Sequence, residues 1–194
     1  GLNPKTATRS GGSGIGARGS NYTYTPPPNN ASAWEVTKAG KNLSRAEDLT
    51  KHHSYSEFEP DPNQISNGWS KRSGGYVYDM VLYRTEDGVR TKNPFVPSPI
   101  NGTITFIGYY SNGKDSAIHI TSSSGNVYKL LHCDVNNAIV KKDDIVKPGQ
   151  LLARQSDEMN ASKYNRNIHL HIEFPKLNVL KSYITNMVND SFPT

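Results

Sequence analysis

After Tyr76 the chain alternates apolar and polar residues with a period of two, the pattern of half-buried strands. Tyr76-Val77-Tyr78-Asp79-Met80-Val81-Leu82-Tyr83 predicts a buried or half-buried strand, and Ile104-Thr105-Phe106-Ile107 predicts another after the Asn101-Gly102 turn signal. Ala117 to Ile120 and Val127 to His132 flank a turn near Ser124-Gly125. Ile145-Val146 enters a Lys147-Pro148-Gly149 turn, Gln150 to Ala153 leaves it, and Ile168 to Phe174 forms a last strand. Short strands joined by tight turns predict a mainly β domain with antiparallel pairing. Beyond Pro175, the residues Leu177, Leu180, Ile184, Met187 and Val188 recur at helical spacing, so a C-terminal helix should lay one face on the sheet.

The pattern ahead of Tyr76 is different. Ser32 as a cap, with Trp34, Val36, Ala39, Leu43, Ala46 and Leu49 as an apolar stripe, predicts a helix over 32–51, although Gly40 lies inside it. His52-His53-Ser54-Tyr55 follows, then a stretch rich in Pro, Asn and Ser up to Gly68. Residues 1–33 are of low complexity, with Gly11-Gly12-Ser13-Gly14, Gly16, Gly19-Ser20 and Pro26-Pro27-Pro28. Such a segment buries too little apolar surface to offset its ordering entropy, so it should be an extended arm. An arm of this kind gains order against other subunits of a larger assembly. The expected divisions are therefore an arm (1–33), a helix with an irregular linker (34–69) and a β domain with its C-terminal helix (70–194).

Composition narrows the partners. No apolar run is long enough to span a bilayer, and no apolar segment of a secretory signal follows the early basic residues. The first residue is Gly1, which suggests a processed product or a piece of a longer protein. Of the net charge of +5, the arm carries Lys5, Arg9 and Arg18 without an acid, which leaves the β domain near neutral. A nucleic-acid footprint is therefore not expected. The arm suits an anionic surface such as a cell wall, or is simply a solvated tail. Cys133 is the single cysteine, which rules out an intramolecular disulfide within the chain. Its neighbour His132 should face the other way along a strand, so Cys133 is expected to be a small buried hydrophobe.

The chemistry concentrates in Ile168-His169-Leu170-His171-Ile172-Glu173-Phe174. In a strand, residues i and i+2 share a face, so His169 and His171 point the same way. Two imidazoles converging from a rigid strand can serve a metal ion or a proton relay. A polar sheet face is the plain alternative for the motif alone.

Four segments in order resemble the lysostaphin/LytM-type zinc endopeptidases of peptidoglycan. Val96-Pro97-Ser98-Pro99-Ile100-Asn101-Gly102-Thr103-Ile104 resembles the family's apolar-x-Pro-x-x-Gly-x-Val segment. Val127 to His132 is similar to its Tyr-x-His-Leu strand, with the histidine kept and the tyrosine displaced. Val140-Lys141-Lys142-Asp143-Asp144-Ile145-Val146-Lys147-Pro148-Gly149-Gln150 resembles its Val-x-x-Gly-Asp-x-Val-x-x-Gly-Gln turn, and His169-Leu170-His171-Ile172-Glu173 its His-Leu-His-x-Glu strand. The match covers roughly residues 70–175. The resemblance implies an antiparallel β-roll or sandwich of the lysostaphin-like type, with Asp79 and His171 as ligands of one zinc ion. It implies that His132 and His169 take the two remaining histidine roles, handling a proton and stabilising the oxyanion as water attacks a peptide carbonyl. Tyr128 or Tyr164 would orient the substrate.

One position departs from this pattern. The family's first ligand is a histidine four residues before the aspartate, and here that residue is Gly75. Glycine has no side chain to offer, whereas a catalytic zinc uses three protein ligands and an open position. His52 or His53 could supply the third donor by folding back; alternatively they are a solvent or interface pair. His119, between Ile118 and Ile120, is expected on the strand's outer face. Arg84 to Asn93 should be an inserted polar hairpin. Two functions follow from the resemblance. One is an active peptidoglycan endopeptidase in a phage tail or baseplate, or in an extracellular cell-wall setting. The other is a degenerate domain that binds the wall or serves as a structural subunit. A biotinyl or lipoyl carrier is not expected, because no lysine stands between two methionines as at the hairpin tip of such a domain.

Overall fold

On strand β3 (Tyr76–Glu86) the side chains of Tyr78, Met80 and Leu82 are buried, and on β11 (Leu170–Phe174) those of Leu170, Ile172 and Phe174 are buried. The two strands pair antiparallel with Met80 opposite Leu170 and Tyr78 opposite Ile172, so one face of the pair builds the core and the other carries Asp79, His171 and Glu173. A computed structural model of the chain describes residues 26–39, 46–48, 76–111, 115–156 and 168–193. The protein is mainly β, with one antiparallel sheet in the order β2-β1-β3-β11-β8-β7-β6-β9 and the short β4 paired to the end of β3. The remaining members of that sheet are β1 (Ala31–Ala39), β2 (Ala46–Asp48), β4 (Val89–Thr91), β6 (Gly102–Tyr109), β7 (Ser116–Thr121), β8 (Val127–Leu131) and β9 (Ile145–Val146). A two-stranded sheet joins β5 (Phe95–Pro97) to β10 (Leu151–Arg154).

The helix expected over 32–51 is not formed. Residues 31–39 are strand β1, which pairs with β3 from Ala31 opposite Glu86 to Lys38 opposite Met80. Within the helical stripe a second pattern competes, since Trp34 and Val36 are two apart and both are buried, and Val36-Thr37 is a β-branched pair. Tertiary pairing decides between them. The Trp34 indole donates to the carbonyl of Phe95 at 3.0 Å, and the Arg84 guanidinium lies 3.5 Å above the ring. The strand is thus built into the sheet that carries the site, and residues 40–45 and 49–51 of the expected helix lie outside the described residues.

The anticipated hairpin at Arg84 to Asn93 is present. Asp87 and Gly88 both have positive φ (49° and 85°), the paired left-handed geometry of a two-residue hairpin turn. The Asp87 carboxylate also accepts from the backbone N–H groups of Asn29 and Asn30, fastening the chain just before β1 to the hairpin tip. Arg154 reinforces this corner by donating to Glu86 Oε1 at 3.0 Å, to the Asn93 carbonyl at 2.7 Å and to the Pro26 carbonyl at 3.2 Å.

Helix α1 (Leu177–Asn189) closes the core. Leu180, Tyr183, Ile184 and Met187 recur at three- and four-residue steps and are all buried. The Tyr183 hydroxyl donates to the carbonyl of Pro97 at 2.7 Å, which ties the helix to the small sheet. No helix among the described residues is long and apolar enough to cross a membrane.

Candidate functional site

The face of the sheet opposite the core is organised in cross-strand rows. Asp79 on β3 stands opposite His171 on β11, which stands opposite Leu131 on β8 and, through it, Ala117 on β7. One step along, Glu173 stands opposite Lys129, and Lys129 opposite His119, which faces Phe106 on β6. Side chains two apart on a strand share a face, so both rows lie on one surface.

The four residues singled out in the sequence converge. His171 Nδ1 lies 2.8 Å from Asp79 Oδ1, and His169 Nε2 lies 3.8 Å from the same oxygen. The His132 ring is centred 4.8 Å from that of His169 and 5.9 Å from that of His171. All three imidazoles are buried, while Asp79 keeps 15 % of its side chain exposed.

His132 reaches this cluster by a backbone departure. Its φ is +72°, a left-handed conformation uncommon for a residue with a side chain. The turn is held at both backbone groups: the His132 N–H donates to Ser116 O at 3.0 Å, and its carbonyl accepts from the Ser156 N–H at 3.1 Å. As expected, Cys133 turns the other way into the core, where burial, with Asp134 beside it, pushes its thiol up to about 12. It stays protonated at neutral pH and is no nucleophile.

Glu173 completes the arrangement, and the sequence reading gave it no role. Its Oε2 lies 2.9 Å from His171 Nε2, so the imidazole is held between two carboxylates. Burial alone would lower the pKa of His171, but the hydrogen bonds and charges of Asp79 and Glu173 outweigh it and hold the ring at about 9. Burial pushes Asp79 up, yet the His171 bond and the positive charge of His171, His169 and His132 bring it below its ordinary value. At neutral pH the protonated His171 therefore donates from both ring nitrogens, to Asp79 and to Glu173. The period-two rule that joined His169 to His171 extends to Glu173, so this residue was legible. Lys129, whose Nζ lies 4.0 Å from Glu173 Oε1, and Asp115, whose Oδ1 lies 3.9 Å from His132 Nδ1, needed the register between strands.

Tyr128 is corrected as a substrate contact. It is buried on the core face, edge-on to Phe174 at 5.3 Å between centroids. Tyr164, Gly75, His52 and His53 lie outside the described residues. His119 does sit on the outer face, half-buried, with Tyr110 Oη 2.7 Å from its Nε2 and the Phe106 ring tilted against it at 4.9 Å between centroids.

Asp79 and His171 present two facing donor atoms of the kind zinc takes, and Glu173 lies behind the imidazole, where a carboxylate would orient it. Two donors on one tetrahedral zinc stand about 3.3 Å apart, so the shared proton and an ion compete for the same pair of atoms. Among the described residues no group of three or more His, Cys, Asp or Glu side chains that could hold a metal ion is found. No protein-family model matches the chain, and no curated protein sequence matches it.

Proposed function

We propose that this chain is a zinc-dependent peptidoglycan endopeptidase of the lysostaphin-like kind, acting as a component of a phage tail or baseplate or of an extracellular cell-wall assembly. The observation that supports it best is the convergence of Asp79, His132, His169 and His171, from three separate strand regions, on one buried point. Asp79 and His171 would hold the ion, and His52 or His53 could supply a third donor. When bound, zinc would polarise a peptide carbonyl and lower the pKa of a water molecule. The chain's own groups do the rest. Glu173 fixes the tautomer and tilt of His171, and His169, beside the Asp79 carboxylate, is placed to take a proton from the attacking water. His132, whose ring is centred 4.8 Å from that of His169, would donate to the oxyanion. The Gly-rich arm ahead of Pro26 would fasten the domain to neighbouring subunits.

A second reading rests on Gly75 and on the pairing of His171. With no side chain at the position of the first ligand, and with an imidazolium satisfied by two carboxylates, the domain could instead bind the wall without cutting it. Digestion of purified peptidoglycan by zinc-loaded protein separates the two. New amino termini that vanish in Asp79→Ala support hydrolysis; cosedimentation with uncut wall material supports the binding module.

A further inference from the structure

The row beside the His171 cluster contains a lysine that the proposed chemistry does not use. Lys129 lies on β8 with only 26 % of its side chain exposed, and it forms an ion pair with Glu173 Oε1 at 4.0 Å, too long for a hydrogen bond. Glu173 meanwhile spends its other oxygen on His171 at 2.9 Å. Among the described residues the ammonium is thus paired with Glu173 only at this long distance, and its three donors lie beside the site. Its cross-strand neighbour His119 does not share the positive charge. Burial, together with the nearby lysine, lowers that imidazole to about 4, so it is neutral under ordinary conditions. Lys129 is the basic residue of the row Glu173–Lys129–His119–Phe106. At the opposite end of the cluster an acid, Asp115, lies 3.9 Å from His132. Asp115 thus lies on one side of the Asp79–His171 row and the Lys129–Glu173 pair on the other.

We propose that Lys129 is a specificity-determining residue that binds a free carboxylate on an acidic peptide seated across this face. The inference rests on reading the site as one that takes peptides. Adjacent residues on the same face of a strand are about 6.8 Å apart, and an extended peptide advances about 3.4 Å per residue. The carboxylate would thus lie about two residues from the bond positioned at Asp79 and His171. A stem peptide with an ionised acid at that distance fits; one whose acid is amidated loses the contact. Phe106, Tyr110 and His119 form a packed aromatic shelf next to the ammonium, against which the aliphatic part of such a residue can lie.

The test uses the full chain and two synthetic stem tetrapeptides that differ only in a side-chain carboxylate or carboxamide. Binding to each is measured by calorimetry for the natural protein, Lys129→Met and Lys129→Glu, with melting curves to verify that the variants fold. The natural protein should bind the acid at least fivefold more tightly, and the ratio should shrink between 50 and 500 mM salt. It should fall to about one in Lys129→Met and invert in Lys129→Glu. Equal binding of the two peptides by the natural protein, binding of neither, or an unchanged ratio in Lys129→Met overturns the inference. Preference for the acid with peptidoglycan left uncut would sink hydrolysis and keep Lys129. Cutting without preference would do the reverse.

Discussion

Asp79 Oδ1 and His171 Nδ1 face each other at 2.8 Å across paired strands, although the two residues are 92 apart in sequence. Register alone brings them together, because β3 and β11 pair with Asp79 directly opposite His171. The same pairing places Met80 against Leu170 in the core, so the site cannot shift without displacing buried apolar side chains. Site and core are specified by a single alignment of two strands.

Glu173 should matter through its hydrogen bond to His171. Glu173→Ala leaves a buried ring N–H without an acceptor and should cost about 1–3 kcal/mol in urea unfolding. Zinc affinity should fall about 10- to 100-fold, as for other carboxylates behind a liganding histidine. Glu173→Gln keeps an acceptor and should recover most of the stability. Equal losses in both variants would show that charge, rather than the hydrogen bond, is what matters.

Trp34 tests whether β1 belongs to the fold. Trp34→Ala removes a buried ring, its bond to Phe95 and the stack beneath Arg84, and should cost about 3–5 kcal/mol. A loss below about 1 kcal/mol in denaturant unfolding would mean that residues 31–39 are dispensable.

The strands after Tyr76 and the C-terminal helix were legible because their apolar periods, two and about 3.6, have no competitor. Residues 32–51 were not, since Trp34, Val36, Ala39, Leu43, Ala46 and Leu49 satisfy a helical stripe while Trp34 and Val36 also satisfy alternation. Only β3, more than forty residues later, settles which period is used. In the site, His169 and His171 announce themselves as neighbours on one face. The positive φ of His132 and the Lys129–Glu173 and Asp115–His132 contacts depend on long-range packing, which carries no local signal.

His119 should make the fold acid-sensitive. Its pKa is about 4 in the folded chain against an ordinary 6.5, so it is neutral when folded and takes up a proton on unfolding below pH 6.5. The contribution is intact above pH 6.5 and is lost as the pH falls towards 4. His119→Phe retains a ring against Phe106 and should lose less melting temperature than the natural protein between pH 7 and 4.5. An identical acid slope in the two proteins would contradict the depressed pKa.

Gly75 precedes Asp79 by four residues, an even spacing that shares its face if the strand pattern extends to it. Gly75→His should therefore raise zinc affinity at least tenfold, measured by competition with a chromophoric chelator. No gain would mean that position 75 does not face the site.

Zinc titration of the metal-free chain across pH tests the site at Asp79 and His171 most directly. An ion taking His171 Nδ1 must displace a proton held with a pKa of about 9, so apparent affinity should rise about tenfold per pH unit from 6 to 8. One zinc per chain should bind with that slope, and binding should be lost in the Asp79→Ala, His171→Ala double variant. A chain that takes up no zinc, or a double variant that binds it as well as the natural protein does, would contradict the account.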